Sequence, residues 1–127
     1  MRAFNYWFSF SGRIGRAQWW IGQIGLILIM AAAAMLLVGV MVALGVQDFQ
    51  HSNAAQAMIG VLMLVYFASW LAIHVRRWHD LGKSGWWQLL MLVPFGSLYI
   101  LIMCGFVPGD YSDNAYGPDP LNQRTFG

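Results

Sequence analysis

The sequence predicts an all-α, polytopic membrane protein with three transmembrane helices. Of its 127 residues, 59% are hydrophobic and 9% are charged, whereas about 25% of residues are charged in an ordinary soluble protein. The hydrophobic residues form three long blocks, each above the roughly 18 apolar residues that cross a hydrocarbon core. The charged residues lie almost entirely between these blocks. We therefore expect residues 1–127 to form a single integral membrane domain.

The three blocks are predicted to span the membrane at residues 21–46, 54–75 and 86–107. The first block has about 26 residues, or roughly 39 Å of helix, and is expected to tilt in a hydrocarbon core of about 30 Å. The aromatic and basic residues 3–20 precede it and suit a short helix along the membrane interface. The tail, residues 108–127, is rich in Asp, Asn, Gly and Pro, so we expect it to be irregular.

The third block contains two residues that interrupt helices, Pro94 and Gly96. Two interpretations follow. We adopt a single kinked span, and the alternative is a re-entrant hairpin that turns at residues 94–97. The choice decides on which side of the membrane the tail lies, because in a hairpin the acidic residues of the tail would face the arginines of the preceding loop.

The distribution of Lys and Arg predicts the orientation in a bacterial inner membrane. Six of the seven cations lie in the N-terminal segment or in the loop between the second and third blocks, and Arg124 alone lies in the tail. With three spans, the N-terminus and this loop are cytoplasmic and the tail is external. Four of the five acidic residues then lie on the external side: Asp48, Asp110, Asp113 and Asp119.

The two cytoplasmic segments also hold six of the seven tryptophans. Indole rings favour the headgroup level of a bilayer, so five of the six are predicted to be interfacial anchors: Trp19, Trp20, Trp78, Trp86 and Trp87. Each nearby cation adds on the order of 1 kcal/mol of attraction to an anionic leaflet. We call these tryptophans and the polar residues beside them the collar. The sequence predicts that the collar binds anionic lipid headgroups or a partner protein, and the alternative is that it only sets the topology and depth of the spans. Its polar members are Arg13, Arg16, Arg76, Arg77, His79, Asp80 and Lys83.

His79 and Asp80 are the part of this loop that topology does not explain. A single acid among several arginines is held ionised and hydrogen-bonded by them, and a histidine titrates near neutral pH. We expect an ion-pair network that joins the two cytoplasmic segments, and the alternative is a site for a substrate, a proton or a partner. His74, within the second block, is the weaker candidate.

Three ordered motifs resemble those of a known family: FSFSGRIGRAQWW, RRWHDLGKSGWW and PGDYSDNAYGPDP. They are similar to those of the domain of unknown function 805 family, the YhaH-like small bacterial inner-membrane proteins, and Trp78 stands where an aliphatic residue is more usual. The resemblance implies a multi-pass inner-membrane protein and supplies no activity. The residues at the motif positions are Arg13, Arg16, Trp19, Trp20, Arg76, Arg77, His79, Asp80, Ser84, Gly85, Trp86, Trp87, Asn114, Tyr116, Gly117, Pro118 and Pro120.

No known catalytic motif is present, so we predict a non-enzymatic protein without a cofactor or metal site. The tail acids do not have the spacing of a calcium-binding loop, and the lone Cys104 lies in an apolar block. Nucleic-acid binding is disfavoured because lipid phosphate competes for cations at span ends. Two alternatives remain: a small self-associating transporter or channel subunit with residues 94–96 lining a path, and a lipid-modifying enzyme that uses His79 and Asp80.

Overall fold

The computed structural model describes residues 2–121 of the chain, and the side chains of residues 4–121. These residues form helices and turns with no strand, and one isolated backbone bridge joins Asn114 and Gly117. The all-α prediction is confirmed for this part of the chain. The helices are α1 (Arg2–Phe8), α2 (Arg16–Ala43), α3 (Asn53–Asp80), a 3-10 helix (Gly85–Leu92) and α4 (Gly96–Gly105).

Two helices, α2 and α3, have the length and composition of membrane spans. Each has 28 residues, or about 42 Å of helix. Only 11% of the most apolar stretch of α2 and 22% of that of α3 is buried within the chain. Apolar side chains left exposed at this density suit a lipid solvent rather than the interior of a soluble domain.

The two spans form an antiparallel hairpin. Ser52 begins α3 by accepting a hydrogen bond from the backbone N–H of Ala55 at 3.3 Å, and α3 ends before Gly82, which has a positive φ of 72°. Because the helices run in opposite directions, the start of α2 lies beside the end of α3. We call this end of the hairpin, residues 9–16 and 76–84, the basic end.

The predicted third span, residues 86–107, is wrong. The chain forms the 3-10 helix, turns at Pro94 and Phe95, and returns as α4. The two arms measure roughly 16 Å and 15 Å, so each reaches about half-way across a 30 Å core. The re-entrant hairpin is therefore the interpretation that the structure supports.

Close backbone packing explains why the two arms form a hairpin. Phe95 adopts a left-handed conformation with φ of 62°, and Pro94 has no N–H to continue a helix. A Cβ on Gly96 would lie 1.5 Å from the carbonyl oxygen of Leu90, so only glycine permits this approach of α4 to the 3-10 helix.

The tail returns to the basic end. The N–H of Asp110 donates to the carbonyl of Asp80 at 2.8 Å, and Arg13 donates to the carbonyl of Ser112 at 2.7 Å. The prediction that the tail lies across the membrane from the arginines is therefore wrong, whereas its irregular conformation is confirmed as far as Leu121. The cytoplasmic location of the basic end stays a prediction.

A short N-terminal helix is present, and it packs on the hairpin. The hydroxyl of Tyr6 in α1 donates to the carbonyl of Gln18 at 2.7 Å, and Gly22 leaves room for that hydroxyl, since a Cβ there would lie 2.9 Å from it. The core lies between α2, α3 and α4 and extends into the basic end. It consists of Ile14, Trp19, Leu26, Ile73, Trp78, Ile100 and Cys104.

The re-entrant hairpin predicts from which side of the membrane introduced cysteines are accessible. In a Cys104→Ala background, we expect Ser11→Cys and Tyr111→Cys to react with a membrane-impermeant maleimide from one side of the membrane. Gln50→Cys, in the loop between α2 and α3, should react from the other side only. Labelling of positions 11 and 111 from opposite sides would restore the three-span interpretation.

Candidate functional site

Asp80 is the centre of a buried ion-pair network at the basic end. Its carboxylate accepts from Nε of Arg13 at 3.1 Å and lies 3.0 Å from Nη2 of the same residue. Its second oxygen accepts from Nη1 of Arg77. The side chains of both arginines have no exposed surface, and that of Asp80 is 4% exposed. The expected ion pairs between the N-terminal segment and the loop are therefore present.

Arg13 also holds the tail in place. Besides Asp80, its guanidinium donates to the backbone carbonyls of Asp110 at 2.8 Å, Ser112 at 2.7 Å and Gly117 at 3.2 Å. Five N–H donors in a planar fork make arginine able to bond to so many oxygens at once. One motif arginine thus links α3 to the turn that contains the Asn-x-Tyr-Gly-Pro motif.

The end of α4 is capped by side chains from α2 and α3. Four successive carbonyls, of residues 104–107, each accept a hydrogen bond. Arg77 donates to the first at 2.7 Å and to the last, the indole of Trp20 to the second at 3.0 Å, and Arg16 to the third at 2.9 Å. The carbonyls of residues 104 and 105 belong to the last turn of α4 and have no partner within the helix, and those of residues 106 and 107 follow it; a membrane offers no water to satisfy them. The motif residues therefore stabilise the returning arm.

The end of α3 is capped by the tail in the same way. The side-chain amide of Asn114 donates to the carbonyl of His79 at 2.8 Å. The ring of His79 lies 4.1 Å from the ring of Tyr116, nearly parallel to it, and its Nδ1 lies 3.1 Å from the carbonyl oxygen of Gly12. His79 thus contacts two other segments of the chain, the tail and the segment before α2, and these contacts support a structural role.

Arg76 contacts α1 rather than Asp80. Its guanidinium donates to the carbonyls of Tyr6 and Ala72 and lies 5.3 Å from the centre of the Tyr6 ring. Burial raises the pKa of Tyr6, although the nearby arginine charge offsets part of this effect. The phenol therefore stays protonated and keeps its hydrogen bond to Gln18.

Two members of the predicted collar stay at the surface. Arg16 is exposed and borders a cavity of about 270 Å³ that it shares with Asp80 and Asp119. The ammonium of Lys83 lies 4.3 Å from the centre of the Trp87 ring. Neither cation pairs with an acid in the described part of the chain.

The predicted tryptophan anchors divide into two groups. Trp20, Trp86 and Trp87 are exposed by 36%, 78% and 40%, as anchors must be. Trp19 and Trp78 are 4% and 0% exposed, and their prediction as interfacial anchors is corrected. Both lie on helix faces that turn toward α4 and the 3-10 helix, so they belong to the core.

Sequence reasoning missed an open, mostly apolar cleft of about 320 Å³ between the spans and the re-entrant hairpin, which several polar side chains line. Its lining includes His74, Gln23, Gln88, Trp19 and Ser97. Single Gln and Ser residues in apolar blocks were the signal that could have indicated it. Among residues 2–121, no group of His, Cys, Asp and Glu has the arrangement of a metal site.

Comparison with known sequences gives the family. The family model described as "Protein of unknown function (DUF805)" matches residues 7–118. The chain belongs to this family. The DUF805 match includes every motif residue of the network, from Arg13 to the turn around Gly117, and the resemblance noted from the motifs is confirmed.

Relatives in Escherichia coli K12 indicate a membrane location. The inner membrane protein YhaI is 31% identical over 112 residues, which are 88% of this chain and 86% of YhaI. The inner membrane protein YhaH is 40% identical over 65 residues, 48% of this chain and 54% of YhaH, so the match spans about half of that relative. The uncharacterized protein YiiR is 38% identical over 86 residues, 68% of this chain and 51% of YiiR.

No solved structure is significantly similar to this chain. The names of these DUF805 relatives state a location and no activity. Together with the two apolar spans, they identify the protein as an integral membrane protein of the DUF805 family.

Proposed function

We propose that this DUF805 protein is a non-enzymatic inner-membrane protein whose surface collar binds anionic lipid headgroups. The collar is smaller than the sequence analysis predicted. It consists of Arg16 and Lys83 with the exposed tryptophans Trp20, Trp86 and Trp87. The observation that carries the proposal is the division of the cations into buried ones and ones at the surface.

The buried cations are not accessible to lipid. Arg13 and Arg77 are buried against Asp80, and Arg76 is buried against α1. Their hydrogen bonds stabilise the fold, so a headgroup would have to displace an internal partner to reach them. This supports a structural role for His79 and Asp80 over the alternative of a lipid-modifying enzyme.

The surface cations suit headgroup phosphate: Arg16 donates one N–H to the carbonyl of Phe106 and has no acidic partner in the described part of the chain, and neither has Lys83. Arg16 lies in the first turn of α2, where backbone N–H groups and the helix dipole also favour an anion. Lys83 lies against an exposed indole, an arrangement that places a cation and an aromatic ring together at the headgroup level. With the basic end on the cytoplasmic side, both would face the leaflet that attracts positive residues.

Lipid retention tests the proposal. In bilayers of phosphatidylglycerol and phosphatidylcholine in equal amounts, the protein should retain phosphatidylglycerol preferentially after mild detergent extraction. The double change Arg16→Ala with Lys83→Ala removes about 2 kcal/mol of attraction, a roughly 30-fold loss of preference at low salt. High salt should weaken the wild-type preference as well.

A charge-preserving exchange is the matched control. Arg16→Lys with Lys83→Arg should keep the preference, since both cations remain in place. Circular dichroism should show equal helix content in all three proteins. An unchanged preference in the double alanine variant would refute the collar, and ion or solute flux through protein-containing vesicles would favour the transporter alternative.

A further inference from the structure

The two halves of the hairpin formed by α2 and α3 differ in burial. We divide it at the middle of each helix into a basic half, residues 16–29 and 67–80, and a far half, residues 30–43 and 53–66. The basic half contains three buried residues of α2 and eight of α3, whereas the far half contains one of each, Met41 and Ala55. The apolar side chains of the far half are therefore left to lipid.

Three further segments pack on the basic half. A Cβ on Gly25 would lie 3.3 Å from the ring of Trp7 in α1, so α1 contacts this part of α2. The indole of Trp20 donates to the end of α4 at 3.0 Å, and that of Trp78 donates to the 3-10 helix at 2.9 Å. Among residues 2–121, the basic half is thus built from five helical segments and the far half from two.

Two apolar grooves run along the far half. Their volumes are about 450 Å³ and about 500 Å³, and Ala34 and Ala57 line the first and the second. All the residues that line them belong to α2, α3 or the loop between these helices. No residue of α1, the 3-10 helix or α4 therefore fills the space beside the far half.

The cross-section of the protein consequently differs between the two leaflets. A helix with its side chains is about 10–12 Å wide, or roughly 100 Å² in cross-section. Each arm of the re-entrant hairpin reaches about half-way across the core, and Phe95 at the tip is 87% exposed. The two arms therefore add on the order of 200 Å² to one leaflet and nothing to the other.

A protein that is wider in one leaflet responds to membrane curvature. In a bent bilayer the convex leaflet is stretched relative to the concave one, and area inserted into the convex leaflet relieves that strain. For this reason, helices that insert into a single leaflet are sensitive to curvature. We propose that this protein is a membrane wedge that concentrates where the leaflet of the basic end is convex. With the basic end on the cytoplasmic side, such a region is an invagination of the inner membrane.

Membrane tethers pulled outward from giant vesicles test this inference, because their outer leaflet is convex. The vesicles consist of phosphatidylcholine, which has no net charge, so the outcome is independent of the proposed collar. The protein is reconstituted in both orientations in a Cys104→Ala background. Ser11→Cys places a thiol at the basic end, and Gln50→Cys places one in the loop at the opposite end. An impermeant fluorescent maleimide added outside then labels only the molecules whose thiol faces outward.

The two labelled populations should redistribute in opposite directions. Molecules labelled at position 11 have the basic half in the convex leaflet, and their density in the tether should rise at least about twofold, which corresponds to about 0.4 kcal/mol. The density of molecules labelled at position 50 should fall to a similar degree. Equal densities in tether and vesicle for both populations, or the same change in both, would overturn the inference.

Bulk added to the far half locates the cause. Ala34 and Ala57 are exposed, and each lines one groove, so Ala34→Trp with Ala57→Trp should widen the far half without overpacking the core. The difference between the two populations should then shrink. Ala17→Trp is the control, because Ala17 is exposed at the start of α2 in the basic half, and it should leave the difference at least as large. If the far-half variant retains the full difference, the wedge is not its source and the inference is wrong.

Discussion

Asp80→Asn is expected to destabilise the protein by about 3–5 kcal/mol, the range observed when one partner of a buried ion pair is removed. Arg13 and Arg77 would keep their charges without a counter-ion, in a site where neither side chain is exposed. The amide oxygen of asparagine still accepts one hydrogen bond, but its NH₂ group faces the other guanidinium. Total stabilities of about 5–15 kcal/mol make this loss a large fraction of the whole.

Denaturant or thermal unfolding in detergent micelles measures the effect, with helix content as the readout. Asp48→Asn is the matched control, because Asp48 pairs with His51 in the loop between the spans, where the two side chains are 65% and 83% exposed. Such a surface pair contributes at most about 1 kcal/mol. An Asp80→Asn protein as stable as the Asp48→Asn protein would show that the network is not needed for folding.

Gly96→Ala is expected to separate the two arms of the re-entrant hairpin. The new Cβ would lie 1.5 Å from the carbonyl oxygen and 2.6 Å from the carbonyl carbon of Leu90. These are backbone atoms, so the clash is not relieved by rotation of a side chain. We expect a loss of more than about 3 kcal/mol, at the upper end of the cost of overpacking, together with altered maleimide labelling at position 111.

Gly39→Ala provides the control for this substitution. Gly39 lies in α2, and a Cβ there has no atom within 4 Å. Alanine favours the helix by up to about 1 kcal/mol over glycine, so Gly39→Ala should be neutral or stabilising. If both alanine variants unfold at the wild-type midpoint, the close approach of Gly96 to Leu90 does not exist in the membrane.

Hydropathy predicted the first two spans because a long apolar segment in a membrane can satisfy its backbone hydrogen bonds in few structures. Within a hydrocarbon core the backbone must bond to itself, so such a segment becomes a helix. The boundaries moved, since α2 begins at Arg16 rather than residue 21 and α3 continues to Asp80 rather than residue 75. Basic residues at the end of a span can stay helical when carboxylate or carbonyl oxygens of the same chain accept their hydrogen bonds. Hydropathy averaged over a window contains no information about those acceptors.

The ion pairs were predictable, but their backbone partners were not. Asp80 is the one acid within the two basic segments, so its pairing with arginine followed from charge. The carbonyls of residues 104–107 and 110–117 that complete the network carry no side-chain signal. The burial of Trp19 and Trp78 was equally unpredictable. Composition predicts that an indole lies near the interface, and only packing decides whether it contacts lipid or protein.

Charge and hydropathy were sufficient for the membrane class, the two spans and the Arg–Asp pairing, since each depends on solvation or on Coulomb attraction between few candidates. Hydropathy could not separate a third span from a hairpin, because both place the same apolar residues in lipid. The difference lies in contacts made only when α4 returns to the basic end: the approach of Gly96 to Leu90 and the capping of four carbonyls by Arg16, Trp20 and Arg77. Those contacts form only in the folded chain, and they determine both where the tail lies and which cations are buried.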